Sequence, residues 1–374
     1  MLQGMMTPEP TSRPEDGAFV PAAARRGRGA VSNRSGRFER LQYRAFDDGW
    51  GRQDEEAPPL RTRVLADTSR TVIARNKSPD ISFDQSINPY RGCEHGCFYC
   101  YARPSHAWLG LSPGLDFEST IFAKHDAPTL LRAELSKASY KPSVISLSGN
   151  TDPYQPVEKE LGITRGILEV LLEARNPVAI ITKSQMIVRD LDILTEMARL
   201  NLVRVALSIT TLDRKLARRM EPRAATPTRR LDTLHRLSAA GVSTSVLVAP
   251  VFPALNDHEI EDILKAAAGA GASRAGYVLA RLPLEIADMA VEWLEENAPG
   301  RARHVMNLIR ESRGGKAYDS DFHQRQRGTG PYAELIRKRF QLAVRRFGLD
   351  APAPELTTEH FRKPQVQSGQ LSLF

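Results

Sequence analysis

The sequence predicts an α/β fold built on a parallel sheet with crossover helices, and three observations carry that reading. Short apolar runs at 144–147, 178–181, 203–207, 245–248 and 276–279 have the length and composition of strands. Helical patterns near 127–138, 163–175, 189–200, 226–240, 256–270 and 284–297 alternate with them. Gly241 and Gly271 stand where helix C-caps belong, while Thr164 and Asn256-Asp257 stand at helix starts. With one further strand just before Cys93 the chain holds six strand–helix units, too few to close an eight-unit barrel.

Taken in order, residues 1–63 are rich in Pro, Gly, Ala, Arg and Ser and read as a disordered basic extension, with Arg25, Arg26, Arg28, Arg34, Arg37 and Arg40. Residues 64–300 carry the strand–helix alternation. Residues 301–350 form a basic helical extension. Within it Tyr332, Leu335, Ile336, Phe340, Ala343, Val344 and Phe347 recur at helical spacing, and Arg337, Lys338, Arg345 and Arg346 lie off that stripe. Residues 351–374 read as a flexible tail.

The formal net charge is +8. From Arg301 to Phe374, fourteen Lys and Arg face seven Asp and Glu, so the last fifth of the chain holds nearly all of the excess. A basic end points to a polyanion, nucleic acid first; an arginine-rich solvated surface is the other reading. No apolar run reaches the length of a transmembrane helix, and no signal-peptide segment opens the sequence, so the expected location is cytoplasmic.

The chemistry concentrates in one stretch. Cys93, Cys97 and Cys100 are all the cysteines of the 374 residues, spaced C-x3-C-x2-C. An odd, clustered set in a long chain is not a disulfide framework and suits metal ligation. Three thiolates can hold three irons of a cubane and leave the fourth open. The same thiols with His95 or His106 would also make a zinc site. In parallel barrels chemistry sits at the C-terminal ends of the strands, so each loop after a strand reads as site lining. Those loops hold Ser148–Glu158, Thr182-Lys183-Ser184, Ser208-Ile209-Thr210 with Glu221-Pro222-Arg223, and Pro250–Asp257.

The cysteine spacing, with the aromatic Tyr99 just before the last cysteine, resembles the radical S-adenosylmethionine (radical SAM) superfamily. Together with Asp152-Pro153-Tyr154-Gln155-Pro156, Glu158, Thr182-Lys183-Ser184, Glu221-Pro222-Arg223 and the Pro250–Asp257 loop, it resembles the spore photoproduct lyase-like branch over about Ser82 to Leu282. The resemblance implies a partial (β/α)6 barrel and a [4Fe–4S] cluster on the three cysteines. It also implies S-adenosylmethionine chelated at the open iron and cleaved to methionine and a 5′-deoxyadenosyl radical, with an electron donor such as flavodoxin or ferredoxin. It places Lys183 at the cofactor carboxylate; Ser208 can add a hydrogen bond to that group or to the ribose, and Tyr99 can pack beside the adenine. Each has a plainer alternative: a rim lysine, a backbone-bonding serine, a packed ring. Asp152 and Glu158 can meet the amine or orient substrate, Glu158 serving otherwise at a helix start. Glu221 and Arg223 suit a buried pair bracing the barrel.

One departure matters. The family's lyase uses a further cysteine after the second strand as hydrogen donor, and this chain has no fourth cysteine. Tyr154 or Tyr101 is left as candidate donor. The expected function is radical chemistry on nucleic acid, DNA first. The alternatives are modification of RNA, peptide or metabolite, or a non-catalytic metal-stabilised binding protein. Finally, Gln370-Leu371-Ser372-Leu373-Phe374 resembles the pentapeptide that binds the bacterial sliding clamp, which would favour a DNA substrate.

Overall fold

The computed structural model describes residues 20–39, 59–352 and 355–365. Its strands are β1 (Arg63–Ala66), β2 (Ile73–Arg75), β3 (Gln85–Ile87), β4 (Tyr90–Arg91), β5 (Thr120–Ala123), β6 (Ile145–Leu147), β7 (Val178–Thr182), β8 (Val203–Ser208), β9 (Ser243–Val251) and β10 (Arg274–Leu279). Its α-helices are α1 (Leu115–Ser119), α2 (Ala127–Ser136), α3 (Glu158–Leu161), α4 (Ile163–Ala174), α5 (Leu191–Arg199), α6 (Arg214–Met220), α7 (Pro227–Ala239), α8 (Ile260–Gly269), α9 (Ile286–Asn297), α10 (Ala302–Glu311) and α11 (Gly330–Arg346).

Six strands in the order β3-β6-β7-β8-β9-β10 pair parallel, as the sequence predicts. The short β2 adds an antiparallel seventh strand at the β3 edge, and β1, β5 and β4 make a separate small sheet. The expected strands fall on β6 to β10, short runs carrying Val, Ile or Leu whose inward side chains are buried in the core. Ile87, Leu147, Ile180, Val205, Val246 and Val248 join one apolar core. Removing each such side chain from water contributes about 1.5–3 kcal/mol. Gly241 and Gly271, at φ 80° and 94°, end α7 and α8 in the left-handed conformation that lacks a Cβ penalty.

Six strands leave the barrel open between β10 and β2. A loop after α10 spans that gap. The Leu279 N–H donates to the Gln326 carbonyl at 2.9 Å, while Arg325 forms an ion pair with Asp80 beside β2, and Gln326 donates to the Asp80 carbonyl at 3.1 Å.

Three expectations need correction. Residues 20–39 are not a disordered tail but a strap packed across the cysteine loop. Their arginines match an acidic row along α9: Arg25 pairs with Glu296 (2.7 Å), Arg34 with Glu292 (2.6 Å) and Asp288 (3.0 Å), and Arg37 with Glu285 (2.6 Å). Residues 355–365 are docked as well. Phe361 packs on Tyr140, and the Arg362 N–H donates to the Ala174 carbonyl at 2.9 Å. In α11, Ala333, Ile336, Phe340 and Ala343 face the core, but Leu335 is 50% exposed. The helix turns a narrower apolar stripe inward than its sequence suggests. Residues 370–374 lie outside the described residues, as do 1–19 and 40–58.

The strap touches the cysteine loop backbone to backbone. A Cβ on Gly29 would stand 1.7 Å from the Gly96 carbonyl oxygen, an overlap that requires one backbone to move. Gly29→Ala is therefore expected to lower stability by about 1–3 kcal/mol and to expose residues 20–39 to limited proteolysis. Unchanged melting and unchanged protease resistance would show that the strap does not need this contact.

Candidate active site

The cysteine loop follows β3 and β4 and has no ladder of its own, so its backbone groups are satisfied from outside. Gly92 and Gly96 turn it through φ 83° and 68°. Cys93 N–H donates to the Phe117 carbonyl (2.9 Å) and Phe98 N–H to the Met220 carbonyl (3.3 Å). The buried Gln155 accepts from Glu94 N–H (2.9 Å) and donates to the Gly92 carbonyl (3.1 Å). Arg103 donates to the Cys97 carbonyl (2.9 Å) and pairs with the buried Glu118. Glu118 in turn accepts from the strap's Gly29 N–H (2.9 Å) and Ala30 N–H (2.8 Å).

Cys93 and Cys97 are buried and Cys100 is half-buried. Burial, then Asp152, pushes the Cys93 thiol well up. Burial pushes Cys97 up to about 12 despite Lys183 nearby. Such thiols keep their protons until a metal replaces them. Among the described residues no three His, Cys, Asp or Glu side chains converge as one ion would require. A cubane asks instead for one thiolate at each of three irons, and three thiols on a single tight loop fit that donor set. The two histidines are engaged elsewhere. His95 Nδ1 lies 3.3 Å from Asp152, and His106 Nε2 lies 3.0 Å from the Thr120 carbonyl.

Lys183 ends the third parallel strand as expected, and its ammonium stands 5.9 Å from the Tyr99 ring centroid. No carboxylate among the described residues pairs with it. Burial pulls its pKa down, but Cys97 and Glu221 outweigh that, and the net direction is up. Lys183 is thus a charged group held ready for an anion. Ser208 is buried at the end of β8, its carbonyl accepting from Arg230 at 2.9 Å. Tyr99 packs edge-on to Phe98 and Phe252, and its hydroxyl donates to Glu221.

Other expected site residues are already committed. Asp152 accepts from Thr182 Oγ1 (2.7 Å), Tyr154 N–H (2.9 Å) and Lys183 N–H (2.8 Å), so both of its oxygens tie loops together. Burial would raise its pKa, but His95 and these donors hold it at about 2. Glu158 is fully buried and accepts from Tyr90, Thr164 N–H (2.9 Å) and Arg189 (2.7 Å). Neither carboxylate is free to meet a cofactor amine. The expected Glu221–Arg223 brace is split. Glu221 pairs with Arg230, and Arg223 with Glu94 at 2.7 Å, because α7 brings a longer-range arginine to the buried carboxylate.

The two tyrosines part company. Tyr154 is buried in the main apolar core. Tyr101 is 45% exposed and donates to the Gly149 carbonyl at 2.7 Å. Desolvation, then Cys100, raises its pKa. Arg281 lies 5.2 Å from the Tyr101 ring centroid and 6.0 Å from that of Tyr318, with its Nε buried and without a partner. Beside it, burial and Arg281 lower Arg313 to about 10. Lys183 and Arg281 thus carry positive charge with no carboxylate partner among the described residues, while the buried Arg313 donates to the Leu279, Ala280 and Gln324 carbonyls. Sequence reasoning missed Arg103, Glu118, Gln155, Arg230 and Arg281. Only Gln155 carried a signal, as part of the Asp152–Pro156 motif.

Glu221 gives a pH dependence. Burial alone would raise it, but Arg230 and Lys183 hold it at about 2. A depressed carboxylate stabilises the fold above its unfolded pKa and loses that contribution as pH falls from about 4.5 toward 2. Glu221→Gln is expected to cost about 3–5 kcal/mol at neutral pH by leaving Arg230 buried and unpaired. Its acid unfolding should also be shallower over that window, as read by denaturant melts at pH 7 and pH 3. An equally steep acid loss in the variant would assign the dependence elsewhere.

Against known proteins, a radical SAM superfamily model matches residues 87–267. An uncharacterised protein of Mycobacterium tuberculosis is 38% identical over 205 residues, covering 54% of this chain and 60% of that protein. One of Methanocaldococcus jannaschii is 30% identical over 173 residues, covering 46% and 62%. The chain thus spans about three-fifths of the length of these relatives. Among solved structures, a spore photoproduct lyase variant superposes with TM-score 0.52 at 15% identity, covering 79% of this chain and 82% of that one. The same lyase complexed with dinucleoside spore photoproduct gives TM-score 0.51 at 15% identity, covering 76% and 79%. Residues 87–267 thus match the radical SAM superfamily, in a fold shared with spore photoproduct lyase.

Proposed function

We propose that this chain is a radical SAM enzyme acting on nucleic acid, with Cys93, Cys97 and Cys100 holding a [4Fe–4S] cluster. The observation that carries the reading is three thiols on the loop after the first parallel strand, with the unpaired ammonium of Lys183 beside them. When bound, cluster and S-adenosylmethionine supply a 5′-deoxyadenosyl radical able to take a hydrogen atom from substrate. Lys183 receives the cofactor carboxylate, and the buried wall of Phe98, Tyr99 and Phe252 excludes water. Asp152 and Glu221 act by fixing Lys183 and Tyr99 in place.

The cations around Tyr101 and Tyr318 support a substrate that pairs anionic groups with flat rings, as a nucleotide does. The spore photoproduct lyase complex holds a dinucleoside in the same fold. With no fourth cysteine, Tyr101, which is exposed and adjoins Cys100 in the chain, is the better placed hydrogen donor; Tyr154 is enclosed in the core.

Anaerobically reconstituted protein is expected to carry about four irons and, once reduced, to form 5′-deoxyadenosine from S-adenosylmethionine. Each of Cys93→Ala, Cys97→Ala and Cys100→Ala should abolish both. Lys183→Ala should keep the iron and weaken cofactor binding by about tenfold or more, the scale of one lost charged contact. Irradiated DNA oligonucleotides should stimulate turnover and return altered bases. Stoichiometric zinc without iron uptake would overturn the enzyme reading, and turnover indifferent to DNA would overturn the substrate.

The terminal Gln370-Leu371-Ser372-Leu373-Phe374 supports a second partner, the bacterial sliding clamp. Full-length protein should be retained on immobilised clamp, and protein ending at Ser368 should not. Equal retention of the two would remove that partner.

A further inference from the structure

The strap of residues 20–39 is held to the barrel by polar contacts more than by apolar packing. No helix or strand runs through it, and its only buried apolar side chains are those of Ala24, Ala30 and Val31. Glu285, Asp288, Glu292 and Glu296 follow one another at spacings of three and four residues, along one face of α9 and the residue before it. The strap runs antiparallel to that row. Arg37 meets Glu285, Arg34 meets Asp288 and Glu292, and Arg25 meets Glu296. Ser32 donates to Glu292 at 2.6 Å and Asn33 to Asp116 at 3.2 Å. Arg28 donates to the carbonyls of Glu118 (2.6 Å) and Leu60 (2.9 Å).

Solvent reaches this zipper. The Asp288 and Glu296 side chains are 68% and 39% exposed, and those of Arg34 and Arg37 are 33% and 37% exposed. Ion pairs open to water are individually weak and are screened by salt. A segment held this way, with little apolar surface to lose, is of the kind that opens locally while the rest of a protein stays folded. What it covers is one side of the cysteine loop. Gly29 lies on the Gly96 backbone, and Ala30 and Val31 share an apolar cluster with Cys97, Phe98 and Tyr99. Cys93 lies in a separate cluster with Ala102 and Phe117, to which the strap contributes no side chain. Cys100 touches both clusters and is half-buried with the strap in place. Lifting the strap takes two N–H donors from Glu118 but leaves its pair with Arg103, and water can meet the freed oxygen.

From this we infer that the strap is a releasable guard: its ionic zipper on α9 lets residues 20–39 lift as a unit, and that opening governs access to Cys97 while the barrel stays folded. Four carboxylates left on one helix face repel one another, so at low salt the row draws its arginines back. Rising ionic strength weakens that pull and favours the lifted form. The Cys93 side of the loop stays closed in both forms. The guard goes beyond the enzyme reading, because it acts on the thiol whatever the thiol binds.

The test follows alkylation of each cysteine by N-ethylmaleimide in the full chain before reconstitution, resolved by peptide mass. In the parent, Cys97 should react about fivefold faster or more when salt is raised from about 0.05 M to 0.5 M. Asp288→Asn/Glu296→Gln, which neutralises two exposed acids, should raise the low-salt rate at Cys97 by about fivefold or more and flatten its salt dependence. Arg34→Gln/Arg37→Gln should do the same from the strap side, so the outcome does not hang on α9 tolerating the first change. Cys93 should stay within about twofold of its parental rate throughout, as local opening requires. In reconstituted protein, iron should pass to a chelator faster in both variants. A Cys97 rate indifferent to salt and to both variants overturns the guard. So does a parallel rise at Cys93, which would make the strap part of the global fold, and so does iron transfer at the parental rate. Failure to take up iron at all would strike the enzyme reading instead, and the alkylation rates still decide the guard.

Discussion

The buried pair of Arg103 and Glu118 is the interaction on which the mouth depends. Arg103 spends its donors on the carbonyls of Cys97, Pro113 and Gly114 and on the Glu118 carboxylate. Glu118 spends its oxygens on Arg103 and on the N–H groups of Gly29 and Ala30. One ion pair thus joins the cysteine loop, the α1 region and the strap. Two charges taken wholly out of water are tolerated only when their polar atoms find partners, and here each nitrogen of Arg103 and each oxygen of Glu118 has at least one. An apolar substitute of equal volume could fill the space, but it could not hold a carbonyl beside Cys97 and two strap amides at once.

The same logic recurs around the barrel. Asp152 joins the loop after β6 to the end of β7, Glu158 joins β4 to the segment at Arg189, and Glu221 joins Tyr99 and Thr210 to α7 through Arg230. Each buried acid bridges neighbouring post-strand loops at the C-terminal edge of the sheet. These loops have few backbone partners of their own, so buried carboxylates supply the cross-links that strands obtain from ladders. Lys183, at the end of β7, is left beside the cysteine loop with no carboxylate partner among the described residues, where an anionic ligand would sit.

The sheet was legible because its signal is local. Each of β6 to β10 is an apolar run bounded by turn residues, and each crossover helix repeats its apolar positions at helical spacing. The cysteine loop was legible because three thiols in eight positions admit few chemistries. The pairings were not. Glu221 has Arg223 two residues away, and sequence proximity favoured that partner, yet helix α7 delivers Arg230 into the buried space and leaves Arg223 to reach Glu94. Low hydrophobicity made residues 20–39 look disordered. Their order comes from partners far away in the chain: Glu118, Glu285, Asp288, Glu292 and Glu296. The acidic spacing along α9 was a readable complement to the strap's arginines, but only its position in the fold turns that spacing into a docking face.

The strap is the first of these described elements to leave the ribosome and the last able to settle. Its ion-pair partners on α9 are translated long after the three cysteines, and Arg25 and Glu296 are separated by 271 positions. Throughout that interval the nascent chain presents the cysteine loop without its cover. Contacts of such sequence separation form late, because the loop-closure entropy must be met before they contribute. Synthesis order therefore leaves an interval in which the three thiols stand uncovered. Once α9 folds and Gly29 comes to rest on Gly96, the same segment closes over the cysteine loop.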